Sequence, residues 1–200
     1  ENALGNIGRL WARFAVMHMV TWLAVAAAGG DTIRLVADPR FHEGAVLVPW
    51  LAGGIFFYGM AALANTGLFL AKTQGPAAAW WVAGAACNVA CNALLVRRFG
   101  PMGASLSLVA GFAVIAAGTT WSAQSRLYLP IPRGRILAAG SITLAAGAFS
   151  HSPWSAAPIY SLLMKLPAGA AVAAVVAWIA APDWARRLVV GWLSATTARR

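Results

Sequence analysis

The sequence predicts an all-α, polytopic membrane protein with about six transmembrane helices. Of its 200 residues, 60% are hydrophobic and only 10% are charged, and the mean hydropathy is +0.71. Soluble domains carry about 25% charged residues, so a chain with so little charge cannot cover a globular surface with polar groups. Its hydrophobic residues also fall in runs long enough to cross ~30 Å of hydrocarbon as helices.

Six hydrophobic runs follow one another along the chain. The predicted spans cover residues 14–30, 44–71, 76–96, 102–122, 136–150 and 166–181. Pro76, Pro101 and Pro167 stand near the starts of three spans, and proline is tolerated in the first turn of a helix. Residues 150–160 are predicted to connect the last two spans near the membrane interface.

The spans divide the chain into three regions. Residues 1–13 form an N-terminal flank, residues 14–182 the transmembrane bundle, and residues 183–200 a basic C-terminal segment. That segment fits either an amphipathic helix on the membrane surface or a frayed tail. Because the sequence begins without Met and shows no signal-peptide pattern, we expect a fragment, or one half, of a longer protein.

The charge distribution points to a membrane rather than to nucleic acid. The formal net charge is +10, but the 15 Lys and Arg residues fall in small groups between apolar runs, whereas nucleic-acid-binding proteins collect them in one patch. With six crossings, one side would receive Arg34, Arg40, Arg97, Arg98 and Lys165, and the other side the remaining ten. The excess predicts that both termini are cytoplasmic in a multi-pass protein of the cytoplasmic membrane.

No arrangement of residues predicts catalysis. None of the five carboxylates forms a close pair inside a predicted span, and the three histidines are scattered without a second metal ligand. Cys87 and Cys91 lie four residues apart but lack further ligands, so they are interpreted as small packing residues. We therefore expect no enzyme activity, no metal and no cofactor.

Two asparagines in the third span are candidates for a substrate path. Gly84, Asn88 and Asn92 recur every four residues, on nearly one face of a helix. Amides that face lipid would lose their hydrogen bonds, so these should face protein or a wet cavity. They either contact a polar headgroup or form helix–helix hydrogen bonds worth about 0.6 kcal/mol each. Asn65 in the second span has the same two interpretations.

Three further residues have a functional and a structural interpretation. His18 is either a proton or substrate group or a helix–helix hydrogen-bond partner. Tyr58 belongs to an aromatic group on the second span that either stacks on sugar rings or anchors the span at the interface. Arg34 can pair with Asp31 at i, i+3, or it can hold a lipid pyrophosphate if its helix faces a cavity.

An ordered series of motifs resembles a known family. The series comprises Val48–Gly59 (VPWLAGGIFFYG), Gly67–Thr73 (GLFLAKT), Asn88–Ala104 (NVACNALLVRRFGPMGA) and Tyr128–Arg135 (YLPIPRGR). It is similar to the C-terminal part of polysaccharide-biosynthesis membrane proteins. These are the lipid-linked oligosaccharide flippases, for O-antigen or capsule units, of the multidrug/oligosaccharidyl-lipid/polysaccharide exporter superfamily.

The resemblance implies one six-helix bundle of a two-bundle transporter. Such proteins work by alternating access: the polar headgroup crosses inside while the lipid tail stays in the bilayer. The expected partners are membrane lipids, a polyprenyl-pyrophosphate-linked glycan, and a missing N-terminal half or an oligomeric partner. The alternatives are a multidrug or small-molecule exporter of the same superfamily, a membrane-embedded glycan-processing enzyme, and a structural subunit.

Overall fold

Six α-helices make up most of the chain in this computed structural model, which describes residues 2–128, 133–150 and 157–187. The helices are α1 (Asn2–Val36), α2 (Val48–Leu70), α3 (Gly75–Phe99), α4 (Pro101–Arg126), α5 (Arg133–Ser150) and α6 (Pro158–Ala180). A 3-10 helix, Pro39–Leu47, links α1 to α2, and residues 182–187 add a short helical turn. No strand occurs within those ranges, so the predicted all-α class is confirmed.

Five segments within the described residues are long and apolar enough to cross a membrane. They are Gly5–Val36, Pro39–Leu70, Gly75–Phe99, Pro101–Arg126 and Pro158–Ala180. The chain is therefore a multi-pass membrane protein. Helix α5 has 18 residues and is about 27 Å long at 1.5 Å per residue. It packs along α1, with Ala139 against Val16 and Met19, so it lies beside the membrane-spanning helices.

The starts of the first and last helices differ from the sequence-based expectation. Helix α1 begins at Asn2, so the N-terminal flank continues the first span as one helix. Helix α6 begins at Pro158, which occupies its first turn, and Pro167 lies inside the helix. The prediction that Pro167 starts the last span is therefore wrong, because Pro158 already supplies the helix start. Pro76 and Pro101 do occupy first turns, as predicted.

Two predicted segments fall largely outside the described residues. Of the connection predicted at residues 150–160, residues 151–156 are not described, and Tyr160 belongs to the first turn of α6. Of the C-terminal segment, residues 188–200 are not described. The Arg186 guanidinium lies 5.5 Å from the centre of the Trp178 ring, which ties the end of the described chain to α6.

The helices pack in two groups of three. Helices α1, α5 and α6 share a core of Val16, Met19, Ala139 and Val176. Helices α2, α3 and α4 meet around Ala61, Ile115 and Ala116. Contacts between α1 and α2 join the groups, and the Trp22 indole N–H donates to the Pro49 carbonyl at 3.1 Å.

The helix ends meet at two ends of the bundle. At the proximal end, defined as the end where α1 begins, residues 8–13 lie beside Arg135 at the start of α5 and residues 180–184 after α6. At the distal end, where α1 finishes, Gly29 packs against Val48 at the start of α2. Helices α1 and α5 therefore run in one direction, whereas α2 and α6 run in the other.

Candidate functional site

A buried ion pair joins α1 to α6 near the distal end. The Lys165 ammonium Nζ lies 2.8 Å from Oδ2 of Asp31, and both side chains are only 2% exposed. The Ser161 hydroxyl donates to the same carboxylate oxygen at 2.8 Å. Ser161 and Lys165 lie one helical turn apart on α6, so one face of this helix supplies both donors.

The N-terminus of α6 provides an electrostatic field that favours the Asp31 carboxylate. Ser161 lies in the first turn of the helix, which begins at Pro158. Unpaired backbone N–H groups give a helix N-terminus a partial positive charge, and this favours a nearby carboxylate. An isolated charge inside a membrane protein is costly, so Asp31 and Lys165 each depend on the other for compensation.

The partner of Asp31 is not the one that the sequence suggested. The expected pair with Arg34 is wrong, because Asp31 turns toward α6 and bonds to Lys165. Arg34 is half-buried and takes part in no salt bridge among residues 2–128, 133–150 and 157–187. Lys165 was also expected at the membrane surface, but it is buried because α6 begins earlier than predicted.

An apolar groove lies between α1 and α6 beside the ion pair. Its cavity has a volume of about 210 Å³. The lining residues are Val20, Leu23, Ala24, Ala27 and Ala28 from α1, and Leu162, Lys165, Leu166, Gly169, Ala170 and Ala173 from α6. Lys165 is the only charged residue in this set. Its hydrocarbon stem can cover the groove wall while its ammonium reaches Asp31, so an apolar groove lies beside a charged pair.

The structure places His18 and Tyr58 in helix contacts. His18 Nδ1 lies 3.0 Å from the Phe14 carbonyl oxygen, and its ring packs against Gly59 of α2. The Tyr58 ring forms edge-to-face contacts with Trp81 and Phe112, with centroid distances of 5.9 Å and 5.5 Å. His18 therefore lies between α1 and α2, and Tyr58 joins α2 to α3 and α4.

The asparagines form one pair and one separate residue. The Asn92 amide nitrogen donates to the Asn88 carbonyl oxygen at 3.1 Å and to its side-chain Oδ1 at 3.0 Å. Asn88 also packs against Gly111 of α4. Asn65 is partly buried, and its side-chain oxygen has no hydrogen-bond partner within the described chain. That orphaned acceptor is unusual in a membrane helix.

The six candidate residues do not gather in one cavity. Asn88 and Asn92 are in contact, whereas His18 and Tyr58 lie in two other helix contacts. None of the six lines the groove between α1 and α6. None of the six lines the proximal cavity.

Sequence reasoning missed the site formed by Asp31, Ser161 and Lys165. One signal was available: ionisable residues inside otherwise uncharged membrane runs are rare and usually face a partner. The spacing of Ser161 and Lys165 also places a hydroxyl and an ammonium on one helix face. What the sequence did not supply was the adjacency of α1 and α6.

The side chains give no grouping suited to a metal ion. Within the described residues, no three His, Cys, Asp or Glu side chains lie close enough to hold one. The Cys87 and Cys91 sulfur atoms lie 3.9 Å apart on α3, consistent with small side chains in adjacent turns.

Comparison with protein-family models, with curated proteins and with solved structures finds no match for this chain.

Proposed function

We propose that this chain forms one helix bundle of a transporter that moves lipid-linked oligosaccharide or polysaccharide repeat units across the cytoplasmic membrane by alternating access. The observation that carries the proposal is the Asp31–Lys165 pair beside the apolar groove between α1 and α6, which Lys165 helps to line. The motif series from Val48 to Arg135 supports it independently, through its similarity to lipid-linked oligosaccharide flippases.

The chemistry of the substrate explains why this combination matters. A lipid-linked glycan has a polar diphosphate headgroup and a long apolar tail. Its transporter needs a surface that accepts hydrocarbon next to polar groups held inside the protein. The groove provides the surface for hydrocarbon, since Lys165 is its only charged lining residue. The buried Asp31 carboxylate and Lys165 ammonium provide the polar groups inside the protein.

The ion pair also suits a protein that changes shape. Alternating access requires two discrete helix arrangements. Helix α1 contacts both helix groups, so a displacement of α1 changes how the groups sit together. Asp31 and Lys165 tie α1 to α6 at the distal end, and separating them would leave two buried charges uncompensated. The pair therefore holds one arrangement until another partner replaces the lost contact.

The remaining parts of the proposal concern location and partners. Burial of Lys165 removes it from the distal surface, which retains Arg34, Arg40, Arg97 and Arg98, so the excess of basic residues at the proximal end increases. That excess favours a cytoplasmic proximal end. A second bundle, in the same protein or in an oligomeric partner, completes the pathway and supplies further charge for the diphosphate.

A second candidate is a small-molecule exporter of the same superfamily. The observation in its favour is the buried Asp31 carboxylate, because cation-coupled antiport uses a carboxylate inside the membrane. Against it, Lys165 and Ser161 both bond to Oδ2 of that carboxylate at 2.8 Å. A cation entering this site would have to compete with an ammonium group fixed to the protein.

Deletion of the gene that encodes this chain tests the proposal. We expect polyprenyl-linked repeat units to accumulate on the inner leaflet and surface polysaccharide to be lost, with both restored by the wild-type gene. Normal surface polysaccharide in the deletion strain would overturn the flippase proposal. Increased drug sensitivity with intact polysaccharide would favour the exporter instead.

A further inference from the structure

Three arginines converge on a small cavity at the proximal end of the bundle. Arg9 and Arg13 lie one turn apart on α1, and Arg135 lies in the first turn of α5. The segment Ala180–Trp184, at and after the end of α6, closes the cavity, which has a volume of about 180 Å³. Two separate segments of the chain, α1 and α5, therefore bring guanidinium groups to one place.

None of these guanidinium groups forms a salt bridge with a carboxylate among the described residues. The two salt bridges of the described chain join Arg40 to Asp38 and Lys165 to Asp31. Asp183 lines the cavity but lies beyond salt-bridge distance of all three arginines. Arg9 donates one hydrogen bond, from Nη2 to the Asn6 side-chain oxygen at 2.6 Å. Like charges that share a cavity repel one another, so the cluster is suited to an added anion.

The position of the cavity along the helices indicates the source of that anion. Arg13 is the last charged residue before the uncharged residues 14–30 of α1, and the apolar helix α6 ends at Ala180. Trp184 lies in the cavity wall, and tryptophan is enriched at the headgroup level of a membrane. We therefore expect the arginines to lie at the level of the lipid phosphates.

The size of the cavity restricts the ligand. A volume of 180 Å³ corresponds to about six water molecules at ~30 Å³ each, whereas pockets for drug-sized ligands measure about 300–1,000 Å³. A phosphate group with part of its headgroup fits this space. Guanidinium groups bind phosphate oxygens through two parallel hydrogen bonds, and basic pockets between transmembrane helices recognise anionic lipid headgroups.

We propose that Arg9, Arg13 and Arg135 form a binding site for the phosphate group of an anionic membrane lipid. The site is separate from the Asp31–Lys165 pair and does not depend on the transport proposal. Free phosphate shares the same chemistry, but the position beside the hydrocarbon boundary favours a phosphate that is attached to a lipid.

Lipid retention by the purified full chain tests this site. The protein is exchanged into detergent with phosphatidylglycerol or phosphatidylcholine, and bound lipid is counted by native mass spectrometry. We expect the wild type to retain phosphatidylglycerol preferentially. Arg13→Gln with Arg135→Gln should weaken its binding about tenfold or more, because a lost charge-assisted contact of about 1.5–3 kcal/mol corresponds to at least that factor.

Matched variants separate this site from general charge effects. Arg97→Gln with Arg98→Gln removes the same charge from exposed positions at the end of α3, and it should leave binding unchanged. Arg13→Lys keeps the charge without the two-pronged geometry and should weaken binding less than Arg13→Gln. Equal melting temperatures in phosphatidylcholine would show that the variants are folded.

Three results would overturn the proposal. The first is equal retention of the two lipids by the wild type, and the second is an equal loss in the Arg97/Arg98 control. The third is full displacement of phosphatidylglycerol by inorganic phosphate at equal concentration, because that would assign the site to free phosphate. If the glutamine variants do not fold, Arg13→Lys serves as the test variant. Phosphatidylglycerol binding equal to that of the wild type at every salt concentration would then contradict the proposal.

Discussion

Lys165 lies 2.8 Å from Asp31 although 134 residues separate the two in sequence. The contact joins the last described transmembrane helix to the first, inside a bundle where both side chains are 2% exposed. Replacing a buried ion pair by apolar residues is often neutral, whereas removing one partner leaves a buried charge without compensation. We therefore expect a single substitution in the pair to destabilise the protein and a double substitution to be tolerated.

Lys165→Met should destabilise the protein strongly, because it keeps the volume of the side chain but leaves Asp31 unpaired. The expected loss is about 3–5 kcal/mol, which would appear as a lower melting temperature in detergent or as loss of folded protein. Combining it with Asp31→Asn should recover most of that loss, since the amide can still bond to Ser161. Equal destabilisation by the single and the double variant would argue against a mutually dependent pair.

The same double variant separates a structural role from a role in transport. If the pair only stabilises the bundle, the folded double variant should restore surface polysaccharide in the deletion strain. If separation of the charges is part of the cycle, the variant should fold but fail to export, with repeat units accumulating on the inner leaflet. Melting temperature and export, measured on the same preparations, distinguish these outcomes.

The local features of the fold were predictable because they depend on nearby residues. Hydrophobic runs gave the helices, and Pro76 and Pro101 correctly marked two helix starts. Asp31 shows where this reasoning stops: Arg34, three residues away, was the only partner visible along the chain, but the side chain bonds to α6. Contacts between helices distant in sequence depend on which faces pack together. Uniformly apolar spans leave that choice open, so the groove between α1 and α6 was not predictable either.

Gly103→Ala should destabilise the contact between α3 and α4. A Cβ atom at Gly103 would collide with the backbone of Leu95 and Val96, and a backbone cannot move aside as a flexible side chain can. Overpacking of this kind costs about 1–3 kcal/mol, measurable as a lower melting temperature.

Gly169→Ala provides the matched control for that substitution. A Cβ atom built at Gly169 in α6 has no atom within 4 Å beyond its own stretch of helix, and alanine is favoured over glycine in a helix by up to about 1 kcal/mol. We expect unchanged or slightly higher stability. A similar loss in both variants would show that the close approach of α3 and α4 does not determine the response.

A hydrogen bond between α3 and α4 allows a further prediction. The Trp80 indole N–H donates to the Ser122 hydroxyl at 2.9 Å. Ser122→Ala should leave this N–H without its partner inside the membrane, with a coupling energy of about 0.6 kcal/mol and at most about 1.7 kcal/mol. A double-mutant cycle with Trp80→Phe measures that coupling, and additive losses would mean that the bond contributes nothing.

The asparagine pair provides the sharpest test of the substrate-path interpretation. Asn88 packs against Gly111 of α4, whereas Asn92 donates its amide to Asn88 and to no other helix in the described chain. Asn88→Leu should therefore lower the amount of folded protein, because the larger side chain meets the backbone of α4. Asn92→Leu removes only a local hydrogen bond and should fold normally. If Asn92 contacts the headgroup, this variant will reduce export at a normal protein level. Normal export by folded Asn92→Leu would leave the asparagines with a packing role alone.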